Sequence, residues 1–202
     1  DSPFGVENIY RKEDIGADAM GRISALSSPS PVLAVVRKPE DSIIDDASEL
    51  MPLINNGGLY LALDAIRDPG NLGTILRIAD WFGIDAVFAT RDTVDIFNPK
   101  VVQATMGSIA RVKIIYTNLY DLIKDHANQM PIYGTLLDGE NIYQKQLAPN
   151  GIIIMGNEGN GISNLIENLI DNKLLIPSYP KDSTTSESLN VAVATAIICS
   201  EF

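Results

Sequence analysis

The sequence predicts an α/β protein with a mostly parallel sheet and helices on both faces. Three observations carry this reading. From residue 59 onward, strand-like apolar runs alternate with segments of helical spacing. The runs LYLALD, IIIMG and LLIP are continuously apolar rather than alternating, as in a sheet covered on both sides. Gly-, Asn- or Pro-rich corners follow the first two, as in βα units.

Taken in order, residues 1 to 30 are mixed and polar, with EDIGADAMGRISAL weakly helical. VLAVVRK is strand-like. The acidic stretch PEDSIIDDASELMPLINNGG reads as a connection carrying a short helix. LYLALD is a buried strand that runs into the corner PGNLG. TILRIADWF is a helix with Ile75, Ile78, Ala79 and Phe82 on one side, stopped by Gly83. AVFAT is a strand, PKVVQATMGSIA a helix opened by Pro99, and VKIIY a strand. Asn118 caps LYDLIKDHA. PIYGTLLD is a strand, and a loop leads through Pro149-Asn150-Gly151 into the strand IIIMG. Ser163 caps NLIENLI, and LLIP is the last strand. The polar loop SYPKDSTTSES precedes the helix LNVAVATAIICSEF.

Composition narrows the function classes. The chain has 202 residues, 46% of them apolar, enough for a sizeable core. GIIIMG and VAVATAIIC are too short to span a bilayer, so no membrane role is expected. No signal peptide is visible, and one cysteine, Cys199, fits a reducing cytoplasm and core packing. The opening DSPFGVENIY lacks an initiator Met, so the chain is expected to begin inside a longer gene product. His126, placed on a polar helix face, has no partner at metal-ligand spacing, and no metal is expected. A net charge of −11 argues against nucleic acid when taken alone. Yet Arg67, Arg77, Arg91, Lys100, Arg111 and Lys113 fall close together in the chain, where a local basic patch can form.

Three corners at strand ends hold unusual residues, and ligands in open α/β sheets lie beyond such ends. In the first, Pro69, Gly70 and Gly73 shape a turn; Asn71 stands just outside the helix and Arg77 within it. The second, GNEGNGIS, carries glycines at 156, 159 and 161 and the acid Glu158; it is not the dinucleotide fingerprint G-x-G-x-x-G. The third ends in Ser188-Leu189-Asn190 before an apolar helix. Ser188 reads as an N-cap, and Asn190 as a first-turn amide in need of a partner.

Together these corners resemble the three motifs of the SpoU (TrmH-type) RNA 2′-O-ribose methyltransferases of the SPOUT superfamily. Asn71-x-Gly73-x-x-x-Arg77 is similar to the first motif, IIIMGNEGNGIS to the second, and Ile176-Pro177 with SLNVAVATAI to the third. DIFNPKVVQATMGSIARVKI resembles the family's region between the first two. The resemblance covers residues 59 to 202. It implies a C-terminal deep trefoil knot and a homodimer. It also implies S-adenosylmethionine held by Gly156, Asn157, Gly159, Ile176, Pro177 and Leu189, largely through backbone groups. The methyl goes to a ribose 2′-OH of rRNA or tRNA. The resemblance makes Arg77 a catalytic base; because a guanidinium keeps its proton, a phosphate clamp that stabilises oxyanion charge fits better. Asn71 would orient Arg77 or the ribose, and Ser188 and Asn190 would bond the nucleotide or the methionine end of the cofactor. Glu158 would fix the second loop or contact Arg77. The loop SYPKDSTTSES is longer than the family's and lacks its usual Met. Residues 1 to 45 resemble only the end of the family's N-terminal RNA-binding extension, 46 to 58 a linker, and 59 to 202 the SPOUT methyltransferase domain. A non-catalytic RNA-binding SPOUT homologue is the alternative.

Overall fold

In the main sheet, the strand register brings the carboxyl ends of four neighbouring strands to one level. This computed structural model describes residues 5–24, 26–38, 44, 50–55, 57–180 and 188–202. The chain forms two compact units, residues 1–40 and 41–202.

In the first unit, β1 (Val6–Arg11) pairs antiparallel with β2 (Val32–Val36). Between them lie α1 (Lys12–Ile15) and α2 (Ala17–Ile23). The single weak helix expected over EDIGADAMGRISAL is cut at Gly16, whose φ of +83° no helix accommodates. Strand β1 was not legible in the polar opening; cross-strand pairing with β2 supplies what its composition lacks.

In the second unit, the six strands are β3 (Leu59–Leu63), β4 (Ala86–Ala89), β5 (Ile114–Tyr116), β6 (Ile132–Asn141), β7 (Gly151–Met155) and β8 (Asn172–Leu175). They lie in the order β5-β4-β3-β7-β6-β8, and every pairing is parallel. Leu63 pairs with Ala89 and with Met155, and Ala89 with Tyr116. The next residues, Asp64, Thr90, Thr117 and Gly156, therefore share the carboxyl edge. The sheet continues from β3 to β4 on one side and meets β7 on the other, so a topological switch point lies between β3 and β7.

Helices are α3 (Pro69–Phe82), α4 (Pro99–Ala104), α5 (Leu119–His126), α6 (Asn164–Glu167) and α7 (Val191–Cys199). Alternate strand residues feed two cores, as expected of a sheet covered on both faces. Leu61 and Leu63 pack with Leu72, Ile75 and Leu76 of α3 and Ile198 and Cys199 of α7. Tyr60 and Ala62 pack with Leu122 and Ile123 of α5 and Ile166 of α6. Each large side chain buried this way contributes about 1.5–3 kcal/mol.

Several helices are shorter than the sequence suggests. PKVVQATMGSIA ends its α-helix at Ala104, and Gly107 at φ +93° separates it from a 3-10 turn at Ser108–Ala110. The helix NLIENLI covers only Asn164–Glu167. His126 is not on a polar face: it is buried on α5, with Nδ1 2.8 Å from the Leu122 carbonyl. That amphipathic helix turns its last residue inward. The short helix expected in PEDSIIDDASELMPLINNGG is represented by a 3-10 turn at Met51–Leu53; positions 39–43, 45–49 and 56 of that stretch lie outside the described residues, and so do 181–187 of the polar loop. The expected threading near residues 151 to 200 involves those positions and so lies outside the described residues.

Candidate active site

Three side chains from the three corners meet at the mouth of the switch point. Asn71 Nδ2 donates to Glu158 Oε1 at 2.6 Å. Asn190 Nδ2 donates to Asn71 Oδ1 at 2.9 Å. Asn190 Oδ1 in turn accepts the N–H groups of Ala192 and Val193, at 3.0 and 3.2 Å. The direction of each amide is fixed from both ends. Helix N–H groups only donate and an ionised carboxylate only accepts, so neither asparagine can flip without losing a bond.

Local sequence explains how each residue arrives. Asp68, not Asn71, caps α3: its Oδ1 accepts from Asn71 N at 2.8 Å, and Pro69 takes the first helical position. Asn71 therefore stands inside the first turn, which frees its side chain to reach across. The signal was present as Asp-Pro at the cap and first position of the helix. At the third corner, Asn190 is the cap of α7 and Ser188 is not, because the helix begins one residue after Asn190. Ser188 lies exposed in a bend.

The second corner is folded on itself. Asn157 and Gly161 exchange both backbone hydrogen bonds at 2.9 Å. Asn157 Oδ1 accepts from Gly159 N and Asn160 N, and its Nδ2 donates to the Ala65 carbonyl at 2.7 Å. A Cβ on Gly156 would fall on the backbone of Gly161 and Ile162. The bare backbone at 156 thus serves the loop's own closure, which the sequence reading assigned to a ligand. Asp64, a carboxylate at the end of an apolar strand, accepts from Ser163 N at 2.7 Å and holds the far end of the same loop. That residue was missed, although an acid ending LYLALD was the available sign. Ala65 beside it has φ +57°, with its N–H bonded to Thr90 Oγ1 at 2.9 Å. Two neighbouring strand ends hold this left-handed residue in place.

Arg77 is exposed on α3, about one and two-thirds turns beyond Asn71, and among the described residues no hydrogen bond or ion pair engages it. Glu158 bonds Asn71 and not Arg77. The wider basic patch is partly neutralised. Arg111 is paired with Asp80, with Nε 3.0 Å from the carboxylate, and Arg67 lies 3.5 Å from Asp92. The guanidinium of Arg111 holds the Asp80 carboxyl below its usual range.

The residues expected to hold S-adenosylmethionine fit such a group in two respects. Among the described residues, and outside the helices and strands, no backbone hydrogen bond uses the N–H of Gly156, Ile176 or Leu189. Leu189, an apolar side chain at the entrance, is 49% exposed. Among the described residues no group of three or more His, Cys, Asp or Glu could hold a metal, and no helix is long and apolar enough to cross a membrane.

A parallel α/β sheet whose motif-bearing corners converge at one strand edge defines a methyltransferase of the SPOUT class. The chain belongs to the SpoU rRNA Methylase family, whose profile matches residues 58–200. It is 32% identical over 198 residues to the 23S rRNA (guanosine(2553)-2′-O)-methyltransferase RlmP of Bacillus subtilis, covering 97% of this chain and 74% of that one. It is 30% identical over 188 residues to the 23S rRNA (guanosine-2′-O-)-methyltransferase RlmB of Neisseria meningitidis, covering 92% and 73%. Among solved structures, a TrmH-family protein of Porphyromonas gingivalis superposes with a TM-score of 0.74 at 40% identity, over 90% of this chain and 69% of that one. The AdoMet-bound rRNA methyltransferase of Sinorhizobium meliloti gives 0.79 at 26% identity, over 98% and 80%.

Proposed function

We propose that this chain methylates a ribose 2′-OH of RNA, a guanosine of 23S rRNA being the target favoured by its similarity to RlmP and RlmB. The observation that carries the reading is the Asn190–Asn71–Glu158 chain of bonds, which joins all three motifs at one strand edge. S-adenosylmethionine, when bound, supplies a sulfonium methyl that is already activated for transfer. Backbone groups of Gly156, Asn157, Gly159, Ile176, Pro177 and Leu189 would hold it.

The chain's own residues then position and polarise. Arg77, without a partner among the described residues, pairs with the phosphate next to the reacting ribose and stabilises charge developing on the 2′-oxygen. A guanidinium does not give up its proton, so the 2′-OH proton leaves through that phosphate. Asn71 serves as a positioning residue, since its bonds run to Glu158 and Asn190. Ser188, exposed beside the entrance, contacts the nucleotide. Recognition of the 2′-OH is what separates RNA from DNA.

Two copies of the chain form the working enzyme. Trp81 at the end of α3 is 85% exposed and Val193 of α7 50% exposed, on helices that pack together, and a second copy would cover them. Residues 1–45 are read as the end of an RNA-binding extension, and the enzyme as cytoplasmic.

The test is Arg77→Ala: methyl transfer to 23S rRNA should vanish while calorimetric binding of S-adenosylmethionine persists. Loss of both together would overturn the assigned role. Sedimentation of the purified chain checks the dimer.

A further inference from the structure

One tight turn beside α3 breaks two local rules. Thr105 to Ser108 close on themselves, with Ser108 N donating to the Thr105 carbonyl at 3.0 Å. Both central residues have positive φ, Met106 at +50° and Gly107 at +93°. That is the geometry of a type I′ turn, which favours Asn or Gly at its first central position. Methionine has neither glycine's freedom nor asparagine's local hydrogen bond, so its Cβ strains the left-handed backbone. Ser108, 1% exposed, supplies the second departure: its Oγ has no hydrogen-bond partner among the described residues. Function concentrates where such local rules fail.

The strain secures no packing, because Met106 is 74% exposed. Nor is the turn loose. Thr105 is fully buried, with Oγ1 donating to the Val102 carbonyl at 2.7 Å, and Ile109 packs against the first core. A firm base therefore holds an apolar side chain out in solvent.

Two contacts place this turn beside Arg77. A Cβ on Gly73 would fall on Ala104 and on Thr105 N, so the chain enters the turn against the start of α3. Arg111 leaves it bonded to Asp80, near the end of the same helix. Residues 105–110 thus run alongside α3 from Gly73 to Asp80. Arg77 lies between those two along the helix, about 40° and about 60° from them around its axis. Leu76, on the other side of that line, is buried, so Arg77 stands on the solvent side, as Met106 does. Asp80 is already engaged by Arg111, which leaves the Arg77 charge for a phosphate.

A soft apolar tip beside an unpaired guanidinium offers a nucleotide two things: a cation for its phosphate and a polarisable surface for its base. Of the other exposed side chains longer than alanine's in residues 100–111, Lys100, Gln103 and Arg111 are polar and only Val102 is not. That surround suits a wet RNA contact more than a dry interface between two copies.

We propose that Met106 is a substrate-binding residue, its thioether lying against the face of an unpaired base at the nucleotide whose phosphate Arg77 holds. The strained turn fixes the side chain in that position. The role of this RNA as methyl acceptor rests on the proposed transfer reaction; the base contact is tested apart from it.

The experiment compares Met106→Asn, Met106→Leu and the parent by thermal unfolding, sedimentation, binding of unmodified 23S rRNA transcript and methyl-transfer kinetics. Asparagine fits the turn, so Met106→Asn should melt about 2–4 °C higher. It should nonetheless weaken RNA binding and raise KM about three- to tenfold, with kcat and S-adenosylmethionine affinity unchanged. Met106→Leu keeps both the strain and the apolar surface and should recover most of the lost affinity. A variant that is more stable yet binds RNA less well separates a contact from a folding defect. If the parent binds RNA, Met106→Asn weakens it and no methyl is transferred by either, the contact stands and the transfer reading fails. RNA affinity that ignores Met106→Asn, or a parent that binds no RNA, overturns the inference. So does Met106→Leu as weak as Met106→Asn, a lower melting temperature for Met106→Asn, or loss of a dimer in sedimentation alongside the loss of affinity.

Discussion

Asn71 and Glu158, 87 residues apart in sequence, share a hydrogen bond of 2.6 Å. The bond ties the N-terminal turn of α3 to the loop after β7. Replacing Glu158 by Gln keeps an acceptor for the Asn71 amide, whereas Ala removes it. Hydrogen bonds to charged groups contribute about 1.5–3 kcal/mol, and this one is exposed, at the lower end. Glu158→Ala should therefore reduce kcat/KM about tenfold or more, and Glu158→Gln should stay within about threefold. Equal loss in both would mean that the charge, not the bond, matters.

Asn190 does two jobs that can be separated. Its Oδ1 caps α7 and its Nδ2 holds Asn71. Asn190→Asp keeps the cap but sets an acceptor against Asn71 Oδ1; Asn190→Ala loses both. Chemical denaturation should show about 1 kcal/mol lost for Ala and little for Asp. Both should be impaired in methyl transfer.

Ala65, at φ +57°, adopts a conformation that costs a non-glycine residue about 1 kcal/mol. Ala65→Gly should leave stability unchanged or raise it by up to about 1 kcal/mol. Ala65→Val should lower it by more than that, because β-branching worsens the strain. Guanidinium melts of the three proteins would decide the order.

The Asp80–Arg111 pair predicts an acid limb. The native Asp80 pKa lies below its ordinary 3.8 because Arg111 donates to the carboxylate. A depressed native pKa means stability that is present above the unfolded value and lost as pH falls through the native one. Melting temperatures measured from pH 6 down to about 2.5 should decline less steeply for Asp80→Asn than for the parent. Parallel curves would contradict the pairing.

Burial pushes the Cys199 thiol up to about 12. The protonated form is thereby favoured in the fold, so its contribution is complete below 9.0, the ordinary value, and fades as pH rises toward 12. At pH 8 a disulfide reagent should leave native Cys199 unmodified and titrate it at once in denaturant.

Much of this was legible because local signals and tertiary packing agree. LYLALD, AVFAT and IIIMG are strands within a residue or two of where their apolar runs place them, and Gly83 ends α3 in the left-handed conformation. The resemblance of the three motifs to one family brought Asn71, Glu158 and Asn190 into one candidate site. What the sequence could not convey was pairing between distant side chains. That Glu158 meets Asn71 and not Arg77 depends on the β3–β7 register. The burial of His126 depends on which side of α5 faces the sheet, and the role of Asp64 on a backbone amide 99 residues away. Strand β1 escaped because its partner, not its composition, makes it a strand.

The Asn190–Asn71 bond spans 119 residues. Closing a contact of such range costs loop entropy that only the rest of the fold can offset. A nascent or clipped chain that stops short of the last helix would hold most of the sheet yet possess no working centre. Activity should therefore double as a report on whether α7 has docked on the rest of the second unit.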